Sequence, residues 1–282
     1  RHCADDSPNH SMVPLLHFLT LYQFLHVIAR FSEKRLLIWY YNVILPIRMS
    51  HQKGKRDFMS FESVKAKNPG VKMYLVTDPA FQKYGRVIKG YDFSSYVAYL
   101  KDHTAVPETG NQYVASIPEM EEMPITKEVE HYLYAGMPVQ VGYCNGNGSL
   151  LNAFEYHKCS EVSVGPTDMV FMMYKVEDLS AEGTVDSKDV VAFYCPAGVA
   201  VEIYPHTLHY APCKVEDGGF KCLVILQKGT NAPIEKPVNP VNHEDRLIMA
   251  RNKWAFGHKD SSVVATRGGF EGILGENTCI QY

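Results

Sequence analysis

The sequence has no excess of basic charge, no CxxC motif and no long uninterrupted apolar run. Its 282 residues carry a formal net charge of −3, which argues against a nucleic-acid partner because such proteins present a basic footprint. The seven cysteines are scattered along the chain. This pattern favours reduced thiols over a disulfide framework or a thiolate zinc site. We therefore expect a cytoplasmic protein.

The composition instead indicates a folded chain with an unusual N-terminal segment. Hydrophobic residues make up 46% of the sequence, enough for a substantial core. Residues 1–58 carry a net charge of +4 and residues 59–282 a net charge of −7. The apolar stretch from Met12 to Ala29 is short for a membrane span of ~20 residues and contains polar side chains. The alternatives for this segment are a signal peptide or membrane anchor, a helical hairpin, and an extraneous segment. We expect residues 1–58 to lie outside the fold, and we expect no membrane partner.

From Met59 onward, glycine, proline and asparagine repeatedly separate short runs of β-forming residues. Regular spacing of this kind favours an antiparallel sandwich or barrel. We predict a mainly β fold, an antiparallel β-barrel over residues 70–230 with short flanking helices, and a C-terminal extension over residues 231–282 that packs on it. The predicted strands are Val139–Tyr143, Ala153–Tyr156, Met169–Lys175, Val190–Tyr194, Val199–Tyr204 and Phe220–Gln227.

Two clusters within this region contain metal-ligating residue types. Glu155 and His157 are two residues apart, so on a strand both side chains point to the same face. Glu161 follows four residues later, where a turn can bring it to the same centre. After the predicted strand ending at Tyr204 come His206 and His209, which would face opposite sides of a strand; we favour His209. Such a set suits zinc, manganese, iron, cobalt or nickel, and the sequence predicts a divalent metal cofactor.

The spacing of Glu155, His157, Glu161, Gly198 and His209 resembles the two metal-binding motifs of the cupin superfamily, which implies a cupin-like (RmlC-type) barrel. The sequence departs from that pattern in two ways. Glu155 stands where the first histidine is usual, and His209 follows Gly198 by eleven residues instead of about three. Both departures concern the ligands and not the barrel.

A closer resemblance, over about Met73 to His258, is to a cupin family of unknown function whose members look like the sulfoquinovose isomerase of the sulfofructose transaldolase pathway. A more distant resemblance is to ureidoglycolate lyase. The first implies an enzyme that interconverts an aldose and a ketose, with a sugar as substrate and partner. The segments that carry it are Tyr84-Gly85-Arg86-Val87, Glu155-Tyr156-His157, Leu208-His209-Tyr210-Ala211-Pro212, Lys228-Gly229-Thr230-Asn231 and Asn252-Lys253-Trp254.

Aldose–ketose isomerisation needs a base at the carbon beside the carbonyl and a Lewis acid at the developing enediolate. We expect the metal ligands to be Glu155, His157, Glu161 and His209. The candidates for the base are Glu155, Glu161 and Glu202. An anionic sugar also needs cations or a stacking surface, for which the candidates are Arg86, Lys228, Arg251, Lys253, Trp254 and His258.

Two other functions are compatible with the same residues. One is C–N cleavage of the ureidoglycolate lyase type, and the other is a cupin that binds a sugar without catalysis. Because barrels of this kind often cover an open sheet edge with a second copy, we also expect a homodimer.

Overall fold

The structure is a computed structural model that describes residue 54, residues 60–236 and residues 238–282. The predicted extension over residues 1–58 lies outside the described residues except at residue 54. Among the helices that the structure describes, none is both long and apolar enough to cross a membrane.

Sixteen strands are found in the described part of the chain. They are β1 (Lys72–Leu75), β2 (Gly85–Val87), β3 (Asn111–Val114), β4 (Val139–Gly146), β5 (Ala153–Tyr156), β6 (Glu161–Val164), β7 (Met169–Lys175), β8 (Val185–Asp186), β9 (Val191–Cys195), β10 (Val201–Ile203), β11 (Thr207–Leu208), β12 (Cys213–Lys214), β13 (Phe220–Gln227), β14 (Ile248–Ala250), β15 (Lys253–His258) and β16 (Phe270–Leu274).

The helices are short and lie mostly before β4 and near the C-terminus. Residues 60–67 are helical, and Asp78 caps a 3-10 turn at Pro79–Lys83 through a 2.8 Å hydrogen bond from the Ala80 amide. The other helices are α1 (Ser94–His103), α2 (Pro118–Glu121), α3 (Pro124–Glu128), a π-turn at Val129–Leu133, 3-10 turns at Val176–Asp178, Ser187–Asp189 and Glu244–Leu247, and α4 (Ser262–Ala265).

The strands form three sheets. The first has the order β1-β9-β7-β11, with β12 also paired to β7, and the second has the order β2-β10-β6-β13-β4-β3. The third has the order β14-β15-β16-β8, with β5 paired to β15. Pairing is antiparallel throughout the second sheet, as expected of a barrel built from hairpins and crossovers.

The first two sheets enclose one apolar interior. Along β7, Phe171 packs into the core between these sheets, whereas the adjacent Met172 packs into the core shared with the third sheet. The same alternation runs along β9. Phe193 packs into the core between the first two sheets, and Tyr194 packs into the core shared with the third sheet. Side chains of successive strand residues point to opposite faces. Strands covered on both faces are apolar at nearly every position, which explains the continuous hydrophobic runs of β7, β9 and β13.

A third core lies on the outer face of the second sheet, where α1 to α3 cover it. Tyr96 and Leu100 of α1 are fully buried there against strand residues such as Val141 and Ile225. The Tyr96 hydroxyl is 2.5 Å from Thr126 Oγ1. This satisfies a polar atom that would otherwise be costly to bury.

These features confirm a mainly β, barrel-like fold with short flanking helices; most strand pairs are antiparallel, whereas β1–β9, β15–β16 and β16–β8 are parallel. The predicted strands at 153–156, 169–175 and 220–227 have the observed bounds, and β4 runs three residues beyond its prediction to Gly146. Within the C-terminal segment, β15 pairs with β5. Residues far apart in sequence therefore lie beside the strand that carries Glu155.

Candidate metal centre

The four candidate ligands lie on three separate segments of the chain and meet at one place in the fold. Glu155 lies on β5 in the third sheet, and His157 follows at the end of that strand. A tight turn then leads to Glu161, the first residue of β6 in the second sheet. His209 follows β11 and forms an isolated antiparallel bridge with Glu155, through main-chain hydrogen bonds of 2.7 and 3.0 Å. The site therefore stands where the sheets meet.

The four side chains face one another at short distances. His209 Nε2 lies 3.3 Å from Glu161 Oε2, and His157 Nε2 lies 3.7 Å from the same oxygen. The distance from His157 Nε2 to Glu155 Oε1 is 3.8 Å. One ligand atom each from Glu155, His157 and His209 falls within a group no more than 4.8 Å across. A divalent cation at the centre of such a set needs only small side-chain adjustments to reach ligand distances of about 2.0–2.2 Å.

Main-chain carbonyls orient both imidazoles. His157 Nδ1 is 2.7 Å from the Asn252 carbonyl oxygen, and His209 Nδ1 is 2.8 Å from that of Thr207. A ring that donates from Nδ1 presents the lone pair of its neutral form at Nε2, which is how metal-binding histidines are commonly held. His157 Nε2 is buried with no hydrogen-bond partner. A buried nitrogen lone pair with no hydrogen-bond partner is what a metal ion would bind. The residues present therefore suit the divalent metal predicted from the sequence.

The charges of the site favour a cation. Burial opposes ionisation of Glu155, but the nearby Lys253 and the two imidazoles outweigh burial and lower the pKa of this carboxyl group. For Glu161 burial is likewise outweighed, here mainly by His209, and its pKa is also lowered. Burial lowers the pKa of His157. Burial lowers the pKa of His209, but the charge and hydrogen bond of Glu161, the charge of Glu155 and the Thr207 carbonyl together outweigh burial, so this pKa is raised. Both carboxylates are thus ionised at neutral pH.

Two contacts fix the carboxylates in place. Lys253 lies on β15 directly beside β5, and its ammonium group contacts Glu155 Oε2. Ser163 Oγ donates a 3.0 Å hydrogen bond to Glu161 Oε1. Both partners are held by strands, so the carboxylates are positioned by rigid elements, as precise sites require.

A cavity of about 450 Å³ opens beside these residues. This volume is within the range of small-molecule sites, about 300–1,000 Å³. Of the sequence candidates, Glu155, Glu161, His209 and Lys253 line it, whereas His157 is outside the lining, with its Nε2 3.8 Å from Glu155 Oε1 and 3.7 Å from Glu161 Oε2. Its other polar or charged lining residues are Asn111, Tyr113, Tyr210, Asn231 and Arg267.

Two of the predicted residues, Glu202 and Arg86, lie away from this cavity. Strand register places Ile203 opposite Glu161 and Glu202 opposite Val162, so Glu202 and Glu161 point to opposite faces of the second sheet. Glu202 Oε2 instead accepts a 2.6 Å hydrogen bond from Nε of Arg86, its cross-strand neighbour. The structure therefore removes Glu202 as a base and Arg86 as a substrate ligand at this site.

The remaining candidates also lie outside the cavity lining. Lys228 Nζ is 3.5 Å from Glu121, and Arg251 is 2.9 Å from Glu235. Trp254 stacks on Tyr156, with ring centroids 5.4 Å apart, on the face of β15 opposite Lys253. His258 is buried, with Nε2 3.1 Å from the Gly275 carbonyl oxygen. We assign Trp254 and His258 to packing and local structure.

His206, the alternative to His209, is turned away. Its backbone has a φ of +60°, and its Nδ1 lies 3.5 Å from Glu177 at the surface. The left-handed backbone between β10 and β11 thus turns the chain so that only His209 enters the site.

Several cavity residues escaped sequence analysis. Tyr113 comes from β3, at the edge of the second sheet, and accepts a 2.9 Å hydrogen bond from Asn231 Nδ2. Tyr210 directly follows His209 and belongs to a segment that carries the family resemblance, and both facts were available as signals. Arg267 lies after α4, in a segment with no motif, and nothing in the local sequence indicates its position.

Comparison with known proteins adds a family and distant structural likenesses. No curated protein has a significant match to this sequence. Among solved structures, Bacillus subtilis oxalate decarboxylase has 10% identity, with a TM-score of 0.27 over 45% of this chain and 28% of that chain. Vicilin from Corylus avellana (hazelnut) has 12% identity and a TM-score of 0.30, over 55% of this chain and 34% of that one. Scores this low carry no information about ligand or activity.

The chain spans only about a third or less of these structures. The family profile, by contrast, matches residues 73–278, which include every candidate ligand and nearly all of the three sheets. The chain therefore belongs to the DUF4867 family, a domain of unknown function.

Proposed function

We propose that this protein is a metal-dependent aldose–ketose isomerase that acts on an anionic hexose, such as sulfoquinovose, through an enediolate. The observation that carries the proposal is the convergence of two imidazoles and two ionised carboxylates beside a cavity of about 450 Å³, which Lys253 and Arg267 also line. The resemblance over Met73 to His258 to a family that looks like sulfoquinovose isomerase supports the choice of substrate.

The residues meet the chemical needs of this reaction. A divalent ion, held by the two imidazoles and at least one carboxylate, would supply Lewis-acid stabilisation of the enediolate oxygens. The carboxylate not needed as a ligand can take the proton from carbon 2 and return it to carbon 1. Glu155 and Glu161 both line the cavity, and both are ionised and so able to accept a proton.

Lys253 has two functions in this scheme. Its ammonium group contacts Glu155, which holds that carboxylate ionised and fixed in direction. Because Lys253 also lines the cavity, its remaining N–H groups can donate to a substrate oxygen. Its side chain is only 18% exposed, so this interaction would occur largely away from water, where it is stronger.

The decisive experiment follows proton transfer directly. The purified protein is incubated in deuterium oxide with sulfoquinovose, glucose 6-phosphate or ureidoglycolate, and the products are followed by NMR. We expect deuterium at carbon 2 of an anionic sugar, formation of the ketose, and loss of both after treatment with a chelator. Urea released from ureidoglycolate would identify a lyase. Sugar binding with no exchange would identify a non-catalytic binding protein.

Substituting each carboxylate in turn shows which of the two binds the metal and which acts as the base. If Glu155 is the base, Glu155→Gln keeps its metal and loses deuterium exchange, whereas Glu161→Gln loses metal. The reverse pattern assigns the base to Glu161. If both variants keep metal and exchange, the proposed reaction does not occur at this site.

A further inference from the structure

We propose that Arg267 is the residue that binds the anionic group of the substrate and thereby determines specificity. This inference rests on the proposed function, because it concerns a ligand in the same cavity. It differs from the sequence prediction, which assigned the anion to Arg86, Lys228, Arg251, Lys253 or His258.

The first observation is the distribution of charge around the cavity. Lys253 is neutralised by Glu155, and Glu161 faces two imidazoles. Arg267 also lines the cavity, and it forms no ion pair with any carboxylate among the residues that the structure describes. Its guanidinium is thus the cavity's uncompensated cation within that part of the chain.

The second observation is that the other candidate cations are already ion-paired. Arg86, Lys228 and Arg251 each pair with a carboxylate outside the cavity lining. An ion-paired cation attracts a further anion less strongly, because its partner already neutralises much of its charge. Arg267 has no such partner to lose among the described residues, so it can bind an oxyanion directly.

The third observation is that Arg267 shares one cavity with the candidate metal ligands. Arg267, Glu155, Glu161 and His209 all line it. A single ligand in this cavity can therefore contact the guanidinium and the candidate metal centre at the same time. A ligand between Arg267 and the centre would have its anionic end at the guanidinium.

The chemistry of arginine narrows the ligand class. The planar guanidinium offers parallel N–H donors that match two oxygens of a sulfonate, phosphate or carboxylate. A lysine would bind the same charge without this geometry. Arg267 is exposed and lies in the segment that follows α4. The anion would thus bind at the mouth of the cavity, with the sugar carbons pointing inward.

The test measures anion binding separately from turnover. Isothermal titration with inorganic sulfate, inorganic phosphate and methanesulfonate is carried out on wild type, Arg267→Gln, Arg267→Lys and the control Arg246→Gln, with and without chelator. Arg246 is an exposed arginine in the turn Glu244–Leu247, outside the cavity lining. We expect Arg267→Gln to weaken binding of at least one anion by at least about tenfold, as for loss of a charge-assisted hydrogen bond. Arg267→Lys should be intermediate, and Arg246→Gln unchanged.

Equal binding by wild type and Arg267→Gln, or no binding of any of these anions to wild type, overturns the inference. The sugar experiment has a separate outcome. If Arg267→Gln loses anion binding and no sugar acquires deuterium in wild type, the proposed isomerase fails while the assignment of Arg267 stands. If wild type exchanges deuterium and Arg267→Gln retains full affinity for the anionic sugar, the isomerase stands and the role of Arg267 fails.

Discussion

At the scale of single residues, the site depends on which face of a strand each side chain occupies. Glu161 and Glu202 are both glutamates in paired strands of the second sheet, yet the register places one in the cavity and the other beside Arg86. Likewise, two histidines three residues apart differ because His206 has a φ of +60° and turns outward. Residue type alone therefore does not tell which glutamate or which histidine enters the site; the position of each residue in the fold decides it.

The two glutamates give the first prediction. We expect Glu161→Gln to weaken binding of a divalent metal by at least about tenfold, because it removes a charged oxygen 3.3 Å from His209 Nε2 and 3.7 Å from His157 Nε2. Glu202→Gln should bind metal as wild type does. Titration with manganese or zinc, followed by elemental analysis, measures both. Equal metal loss in the two variants would contradict the geometry.

The second prediction concerns Asn252, which orients His157. Its carbonyl oxygen accepts from His157 Nδ1, and its φ is +54°, a left-handed value that asparagine tolerates and alanine does not. Asn252→Ala should lower the free energy of unfolding by about 1–3 kcal/mol and also weaken metal binding. Asn252→Gly, which accepts this backbone without strain, should keep the orientation of His157 and most of the metal affinity. Urea unfolding and metal titration check the pair; similar metal affinities in Asn252→Ala and Asn252→Gly would refute the positioning role.

At the scale of elements, strands buried on both faces hold the cavity in shape. Phe193 on β9 is fully buried and contacts Phe81 and Tyr84, with ring centroids 5.1 Å away in each case. Its neighbour Tyr194 faces the opposite core. The barrel and the layer of strands behind it are therefore joined through the same strand.

The third prediction tests this strand. Phe193→Ala should lower the free energy of unfolding by about 3–5 kcal/mol, because it leaves a cavity in a close-packed core. Tyr74→Ala, on the adjacent β1, removes a ring of a residue that is 37% exposed and should cost clearly less. Chemical denaturation of both variants gives the comparison, and similar losses would show that this core is not close-packed around Phe193.

At the scale of the whole molecule, three sheets meet at the candidate metal centre. The carboxylates, the imidazoles and Lys253 come from β6 of the second sheet, β5 and β15 of the third sheet, and the segment that follows β11 of the first sheet. A ligand bound here contacts segments far apart in sequence. Its binding energy should therefore stabilise the fold as a unit.

The fourth prediction follows from that linkage. A divalent metal at a concentration about 100 times its dissociation constant should add about 2.7 kcal/mol to the free energy of unfolding, provided that it binds only the folded chain. For a protein of this size we expect an increase in Tm of several degrees, and its reversal by a chelator. Thermal unfolding of wild type and Glu161→Gln measures the effect. An equal increase in the variant would show that Glu161 does not hold the metal.

The sequence predicted the barrel and the metal group because both depend on local patterns. Alternating apolar residues and turn-forming residues mark strands, and Glu155 and His157 share a face whatever the strand pairs with. The cations of the cavity could not be predicted in the same way, since Arg86, Lys228 and Arg251 carry the same charge as Arg267 but lie outside the cavity lining. The homodimer, the cytoplasmic location and the isomerase activity remain predictions.

What the sequence determined by itself is the mainly β fold and the residue types that can bind a cation, because strand formation and ligand chemistry are properties of neighbouring residues. Only the tertiary structure decided that Glu161 faces inward and Glu202 outward, that Lys253 holds Glu155, and that Arg267 reaches the cavity. The physical reason is that strand pairing between distant segments sets which side chains meet, and with them which charges are neutralised and which can still bind a ligand.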